Sequence, residues 1–490
     1  MGPAAPGLYG ATMGKPVKRA RKPSPTAGEA QPTAVILAAG IGSRMRSAVP
    51  KVLHRVAGRT LLEAVIEAVE GVGPSRILVV VGPGRERLES ALDGHAGLTF
   101  VLQDPPLGTG DASRRAAEAL GKPEGPVLVL AGDTPLLRAE TLGRLVAWRH
   151  DRGLDLVFLS FRPPDAGAFG RVVRDSRGRV RRIVEAKNAS AREKTIGEVN
   201  AGVYCFAPQA FARALKGIVR DAVSKEYYLT DAIGILAEAG GKVEAIEAED
   251  WREAWGVNTR RDLAAAEEIE HRRGIERALD AGVTVLDPAT VRIGPHVSLS
   301  PDVTLHPFLS LEGKTTLAEG CEVLSFTRLV DTAVGPGAAV GPHCDAEGAQ
   351  IGGRARVGPY ARLRPGSVIG EDARIGNFVE IKNTTVGRGA KALHLSYLGD
   401  ADVGAGANVG AGVITCNYDG EQKHRTTIGE KAFIGTDSQL VAPVKIGKGS
   451  YVGAGTTVTE DVPDGALALS RATQVNKEGW AERRKTRKTE

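Results

Sequence analysis

The stretch that decides the fold is "IGEKAFIGTDSQLVAPVKIGKG", Ile428 to Gly449. Its large aliphatic residues fall at Ile428, Ile434, Leu440 and Ile446, and the series runs on to Val452 and Val458. A helix repeats its buried face about every 3.6 residues and a strand about every 2. A repeat of six fits neither. It fits a hexapeptide β-helix, in which each hexad forms one short side of a coil and turns one aliphatic residue inward. The same spacing holds at Ile351, Val357, Leu363, Ile369, Ile375 and Ile381, and earlier at Val285, Val291, Val297, Val303 and Leu309.

The phase breaks twice. Ile381 to Val403 spans 22 residues and Val409 to Ile428 spans 19, neither a multiple of six. Inserted bulges or loops are therefore expected in both intervals. His394, in "KALHLSYLGD", falls in the first, and "CNYDG", Cys416 to Gly420, in the second. Insertions in solenoids collect on a binding face, which leaves His394 as either a packed structural histidine or a base set apart from the repeat.

Ahead of the repeats the pattern is different. From Thr33 to Asn258, apolar runs of strand length, "AVILAAG", "RILVVVG" and "PVLVLAGD", alternate with helical stretches such as "RTLLEAVIEAVEGV" and "GDASRRAAEALG". This is the α/β pattern of a mainly parallel sheet covered on both faces. Ligands of such sheets bind beyond the C-terminal strand ends. Between the two patterns, residues 259–282 read as a helix charged around most of its circumference, a linker between domains. The expected division is a basic disordered extension at 1–32, an α/β domain at 33–258, the helical linker, a β-helix at 283–472 and a C-terminal segment with a basic tail at 473–490.

Composition agrees with several domains in 490 residues, 62 of them glycine, with aromatics at only 4%. The net charge of +6 is concentrated in "GKPVKRARK" and "RRKTRKTE". Short basic ends of this kind are solvated, so neither nucleic acid nor a membrane is expected as a partner. No apolar run reaches membrane-spanning length, and no secretory signal is seen. Cys205, Cys321, Cys344 and Cys416 are too scattered for a zinc site or a disulfide framework, and a cytoplasmic location is expected.

Chemistry-bearing residues stand just after the strands. In "LAAGIGSRM", Gly40 and Gly42 mark either a tight turn or a loop whose N–H groups approach phosphate, and Arg44 and Lys51 add charge suited to a triphosphate. Asp133, in "LVLAGDTPLL", either caps the next helix or holds Mg²⁺, with Asn258 as a further oxygen donor. Gly170, Glu185 and Asn200 suit sugar hydroxyls. In the repeats, Arg364 and Lys382 suit a sugar phosphate, with Tyr397 and Asn408 close in sequence.

The order "LAAGIGSRM", "PKVLH", "LGTG", "AGD", "FGR", "VEAK", "VNAGVY", "GVN" and then hexapeptide repeats resembles the bacterial bifunctional N-acetylglucosamine-1-phosphate uridyltransferase/glucosamine-1-phosphate acetyltransferase family, from about Thr33 to Arg484. The resemblance implies a Rossmann-like nucleotidyltransferase domain followed by a left-handed parallel β-helix. It implies that Leu37, Ala38, Ala39, Gly40, Arg44 and Lys51 line UTP or UDP-N-acetylglucosamine. Gln103, Gly108, Thr109, Ala131 and Gly132 join them, with Gly170, Glu185 and Asn200 around the sugar and Asp133 and Asn258 on Mg²⁺. In the β-helix it implies His394 as general base, with Arg364, Lys382, Tyr397 and Asn408 on glucosamine-1-phosphate. Ala411, Asn417, Tyr418, Thr436, Ala454 and Arg471 would lie along acetyl-CoA. The implied cofactor is Mg²⁺, the co-substrates are acetyl-CoA and UTP, and the implied assembly is a homotrimer.

Three residues depart from the family pattern. Ile41 replaces a basic residue between the glycines, Asp111 stands where histidine usually follows "GTG", and Ala131 replaces a tyrosine before "GD". An alternative is a sugar nucleotidyltransferase whose β-helix serves only assembly. His394 together with Arg364, Lys382 and "CNYDG" argues against it. A non-catalytic interaction protein would have no reason to keep Lys51, Asp133 and Asn258 together.

Overall fold

The structure, a computed structural model, describes residues 30–40, 42–95, 97–470 and 472–486, with the side chains of 485 and 486 left aside. Most of the expected basic extension, Ile41, Arg471 and the last four residues lie outside the described residues. The chain divides into two compact units, with the division between Ala266 and Glu267.

The first unit is built on a nine-stranded sheet. Its strands are β1 (Thr33–Leu37), β2 (Arg76–Val81), β3 (Leu98–Leu102), β4 (Val127–Ala131), β5 (Leu156–Phe161), β6 (Arg171–Arg174), β7 (Val180–Val184), β8 (Val199–Phe206) and β9 (Val243–Glu247). The main order is β9-β5-β8-β4-β1-β2-β3, with β6 and β7 added beside β8. Pairing is parallel except where β8 meets β4, β5 and β6, and where β6 meets β7.

Alternation along the central strands explains the layers. Ala34 and Ile36 of β1 face one cluster with Leu62, Val65 and Ile66 of α1 (Leu61–Glu70). Val35 faces the opposite cluster, with Ala112 and Ala116 of α2 (Thr109–Leu120). Each fully buried Val, Leu or Ile among these contributes about 1.5–3 kcal/mol, and an alanine less. Both faces are covered, so the ligand-binding edge is left to the loops at the strand ends.

The helix α3 (Arg260–Asp280) crosses the division. Within the second unit its Ile275 and Ala278 join the β-helix core beside Val283 and Val291.

The second unit is a left-handed parallel β-helix of three sheets with eleven, ten and nine short strands. Neighbouring coils stack in register, as in Leu363, Ile381 and Leu398, or Ile369, Val386 and Val403. On one corner Phe308, Phe326, His343, Tyr360 and Phe378 stack ring on ring, with centroids 4.9, 4.8, 4.7 and 5.2 Å apart. All five are held at positive φ, between 54° and 62°, a conformation that is strained for large side chains.

One expectation is corrected. The 22 residues from Ile381 to Val403 contain no inserted loop. Val386, Ala392 and Leu398 are inward rungs, each 1% exposed or less, so the interval is four sides of five, six, six and five residues. Two sides are shortened, and Ala392 is too small to stand out as a marker. His394 and Tyr397 are therefore outward positions on regular coils, within strands Lys391–His394 and Tyr397–Gly399. The second interval does hold an insertion. Thr415 is an inward rung at 1% exposure, and the next, Ile428, comes thirteen residues later, with Asn417 to Arg425 looping out between them.

Candidate functional site

In the first unit, β1 and β4 are adjacent and parallel, so the segments after them meet. Gly132 N–H donates to Leu37 O at 2.9 Å, and Ala38 N–H to Val80 O at 2.8 Å. Gly42 has φ 68°, and an added Cβ would overlap the side chain of Lys51, so only glycine lets the loop close onto that lysine. Lys51 Nζ contacts Asp133 Oδ2 and donates to Asn258 Oδ1 at 3.2 Å. Arg44 donates to the same amide oxygen at 2.9 Å. The main chain closes the group, with Val257 N–H donating to Asp133 O at 2.8 Å. Asp133 acts here through its side chain on Lys51 and is not a helix cap. Four residues scattered from 44 to 258 thus form one charged cluster.

The expected sugar contacts also converge. Asn200 N–H donates to Gly170 O at 2.9 Å, and a Cβ on Gly170 would lie 3.7 Å from Glu185 Oε1. Thr230 donates to Glu185 Oε1 at 2.9 Å, and Asn200 Nδ2 donates to Tyr204 Oη at 2.7 Å. Burial pushes the Tyr204 phenol well above its ordinary range, so it stays a neutral partner. Gln103 sits beside Gly108 and Asp111. Thr109 Oγ1 accepts from Leu229 N–H at 3.0 Å.

In the second unit the register builds two columns. Asn377 pairs with His394, and Lys391 and Ala392 pair with Asn408 and Val409, which sets Ala411 one coil beyond His394. Val409 pairs with Ile434 and Ile434 with Val452, carrying the column to Thr436 and Ala454. A histidine thus stands at the foot of a strip of small side chains. His394 Nδ1 and Asn377 Oδ1 are 2.9 Å apart. An amide oxygen only accepts, so Nδ1 donates, and in the neutral ring this tautomer leaves the lone pair on Nε2.

On the adjoining sheet Leu363 pairs with Ile381 and Lys382 with Gly399, so Arg364 and Lys382 stack on successive coils. Lys382 donates to Asp400 Oδ2 at 3.1 Å, and Asn383 to Asp400 Oδ1 at 2.7 Å. Asn417, expected along acetyl-CoA, is buried and gives its side-chain amide to Asp400. Burial raises the Asp400 carboxyl, but these hydrogen bonds and Lys382 more than reverse that, holding it below the usual carboxylate range. Tyr418 is exposed, its hydroxyl on Gly420 O.

Sequence reasoning missed Asp400 and Lys423. Lys423 lies in the inserted loop, and the ammonium of Lys382 beside it lowers its pKa. Three cations, Arg364, Lys382 and Lys423, converge where an anion would relieve their repulsion. The loop's phase break was the available signal for Lys423; nothing in the spacing signalled Asp400.

Comparison with known proteins agrees with both halves. Residues 34–220 match the MobA-like NTP transferase domain, and residues 348–383 and 425–460 match the bacterial transferase hexapeptide repeats. The class so defined is a nucleotidyltransferase joined to a hexapeptide acyltransferase.

Relatives matched along nearly their whole length narrow this. The chain is 43% identical over 454 residues to the bifunctional protein GlmU of Koribacter versatilis, covering 92% of this chain and 96% of that one. It is 47% identical to that of Sorangium cellulosum, covering 93% and 97%, and 46% identical to that of Streptomyces coelicolor, covering 92% and 94%. The chain belongs to the bifunctional GlmU family. It is a transferase that makes UDP-N-acetylglucosamine by acetyl transfer and uridylyl transfer.

Proposed function

We propose that the β-helix acetylates glucosamine-1-phosphate from acetyl-CoA, and that the α/β unit then joins the product to UTP with release of pyrophosphate. The observation that carries the first half is the column from His394 to Ala454 together with the Arg364, Lys382 and Lys423 cluster carried by the adjoining sheet and the inserted loop. The amine needs a free lone pair to attack the thioester carbon. His394 Nε2 takes the amine proton, the C–N bond forms, the C–S bond breaks and coenzyme A leaves as thiolate. Arg364, Lys382, Lys423, Tyr397 and Asn408 hold the sugar phosphate. Ala411, Thr436, Ala454, Tyr418 and Arg471 lie along the coenzyme, and Asn417 serves through Asp400.

In the α/β unit, uridylyl transfer is an in-line displacement at the α-phosphorus, dominated by positioning and charge neutralisation. Lys51 and Arg44 neutralise phosphate oxygens, the loop from Leu37 to Gly40 cradles them, and Gly170, Glu185 and Asn200 orient the sugar. Asp133 and Asn258 would hold Mg²⁺. Both offer oxygen donors, which a hard cation prefers; Asp133 faces the Lys51 ammonium, and Asn258 faces both Lys51 and Arg44. When bound, Mg²⁺ stabilises charge on the transferring phosphate.

The hexapeptide β-helix supports a homotrimer, which sedimentation tests. No helix among the described residues is long and apolar enough to cross a membrane. The four cysteines are free, which supports the cytoplasm as the site of action. The division of labour is tested with two variants of the full chain. His394→Ala should abolish acetyl-CoA consumption and spare pyrophosphate release, and Asp133→Ala should do the reverse. Either variant losing both activities, or neither, contradicts the division.

A further inference from the structure

Asp111 departs from the family pattern, and its surroundings give it a role. It lies in the first turn of α2 and is 8% exposed. Removing a carboxylate from water is costly unless it is hydrogen-bonded. Among the described residues its hydrogen-bonded side-chain partner is Gln103, itself 2% exposed. Gln103 Nε2 donates to Asp111 Oδ2 at 2.8 Å and to Gly108 O at 3.0 Å.

Both amide hydrogens are therefore taken by groups that accept, and the amide can face only one way. Its oxygen is turned from them, without a partner among the described residues. Gln103 follows β3 directly, anchored by its N–H to Val81 O at 2.8 Å, on the strand-end edge that carries Leu37 and Gly132. With Gly108 O alone, a flipped amide would lose one neutral hydrogen bond. With Asp111 present, the flipped oxygen would also face a carboxylate. Donation to an ionised acceptor is roughly twice as strong as a neutral bond.

An outward amide oxygen discriminates between pyrimidines. Uracil carries a hydrogen on N3 and cytosine carries a lone pair there, so the oxygen accepts from the first and repels the second. We propose that Asp111 is a positioning residue for base selection, pinning the Gln103 amide so that Oε1 accepts from the N3–H of UTP and rejects CTP. The proposal rests on the reading of the α/β unit as the uridylyl-transfer site.

The test uses the full chain, with pyrophosphate release from UTP and from CTP measured side by side. Acetyl-CoA consumption by the same preparation reports folding of the rest of the chain. Asp111→Asn keeps the shape but can donate to a flipped Gln103. It should lower the UTP-to-CTP ratio of kcat/KM at least about tenfold, mainly by raising KM for UTP. Asp111→Ser, whose hydroxyl also donates or accepts, should move the ratio the same way. A structural role alone would slow both nucleotides equally and leave the ratio fixed. An unchanged ratio in both variants overturns the proposal, as does an unchanged ratio in Gln103→Ala. A wild-type protein that releases no pyrophosphate from UTP overturns the reading of the α/β unit, and the proposal with it.

Discussion

Gly399→Ala should damage acetyl transfer through one neighbouring ring. A Cβ at Gly399 would lie 2.6 Å from Cζ and 2.8 Å from Cε1 of Tyr397, closer still to its hydroxyl. Carbon atoms in good contact are about 3.5 Å apart or more. The tyrosine ring must therefore retreat by about 1 Å. The backbone offers no other reason for glycine, since Gly399 is not among the positive-φ residues and its N–H is held by Thr415 Oγ1 at 2.8 Å.

A displacement of about 1 Å at a substrate contact costs about 100-fold in rate, which is about 2.7 kcal/mol of transition-state stabilisation. The assay is acetyl-CoA consumption with glucosamine-1-phosphate, and pyrophosphate release by the same sample should be unchanged. Tyr397→Ala supplies the second check. If the effect runs through the ring, the double variant should be no worse than Tyr397→Ala alone. Wild-type kcat/KM in Gly399→Ala, or losses that simply add in the double variant, refutes the reasoning.

Asn377→Ala should slow acetyl transfer by about tenfold, acting on kcat more than KM, short of the roughly 100-fold to 10,000-fold that a general base supplies; an unchanged pH–rate profile would dismiss its hold on His394. Leu398→Ala removes an inner rung at 0% exposure and should cost about 2–5 kcal/mol in unfolding. A residue in an inserted loop would cost far less, so an unshifted melting curve would restore the loop reading of that interval. His54 has its pKa lowered in the folded state by burial and by the Arg260 guanidinium. The unfolded chain therefore takes up the proton first, and His54 costs stability as pH falls below its ordinary value of 6.5. Melting at pH 7 and pH 5.5 should show a smaller loss in His54→Gln than in wild type, and equal losses would reject the assignment.

The repeat was legible because each inward aliphatic is a large, sequence-local mark. It failed between Ile381 and Val403, where the inward residue Ala392 is small and two sides are one residue short. His394 was thus singled out by a phase argument that the coil geometry does not support, although its imidazole is exposed, as a base requires. The motifs after β1 and β4 were visible as glycine and charge at strand ends. Their convergence on Asn258 was not, since sequence spacing carries no distance between residues 207 positions apart. Asp400 escaped for a similar reason. Its importance lies in three partners that only the stacking of coils brings to it.

The uneven coil lengths and the stack of rings bear on how the chain finds its fold. A solenoid of near-identical hexads has a characteristic error, in which a coil mates one turn early and makes nearly the same contacts. Sides of five residues before Val386 and Val403 and a step of thirteen before Ile428 make successive turns unequal. The rings from Phe308 to Phe378 end at Leu395 and then Gly412 on the same corner, so a slipped turn would set a ring against an aliphatic or against no side chain at all. Such mismatches widen the energy gap between the native pairing and its neighbours. The irregularities that blur the six-residue rhythm serve as an address for each turn, and they keep a repetitive chain from miscounting.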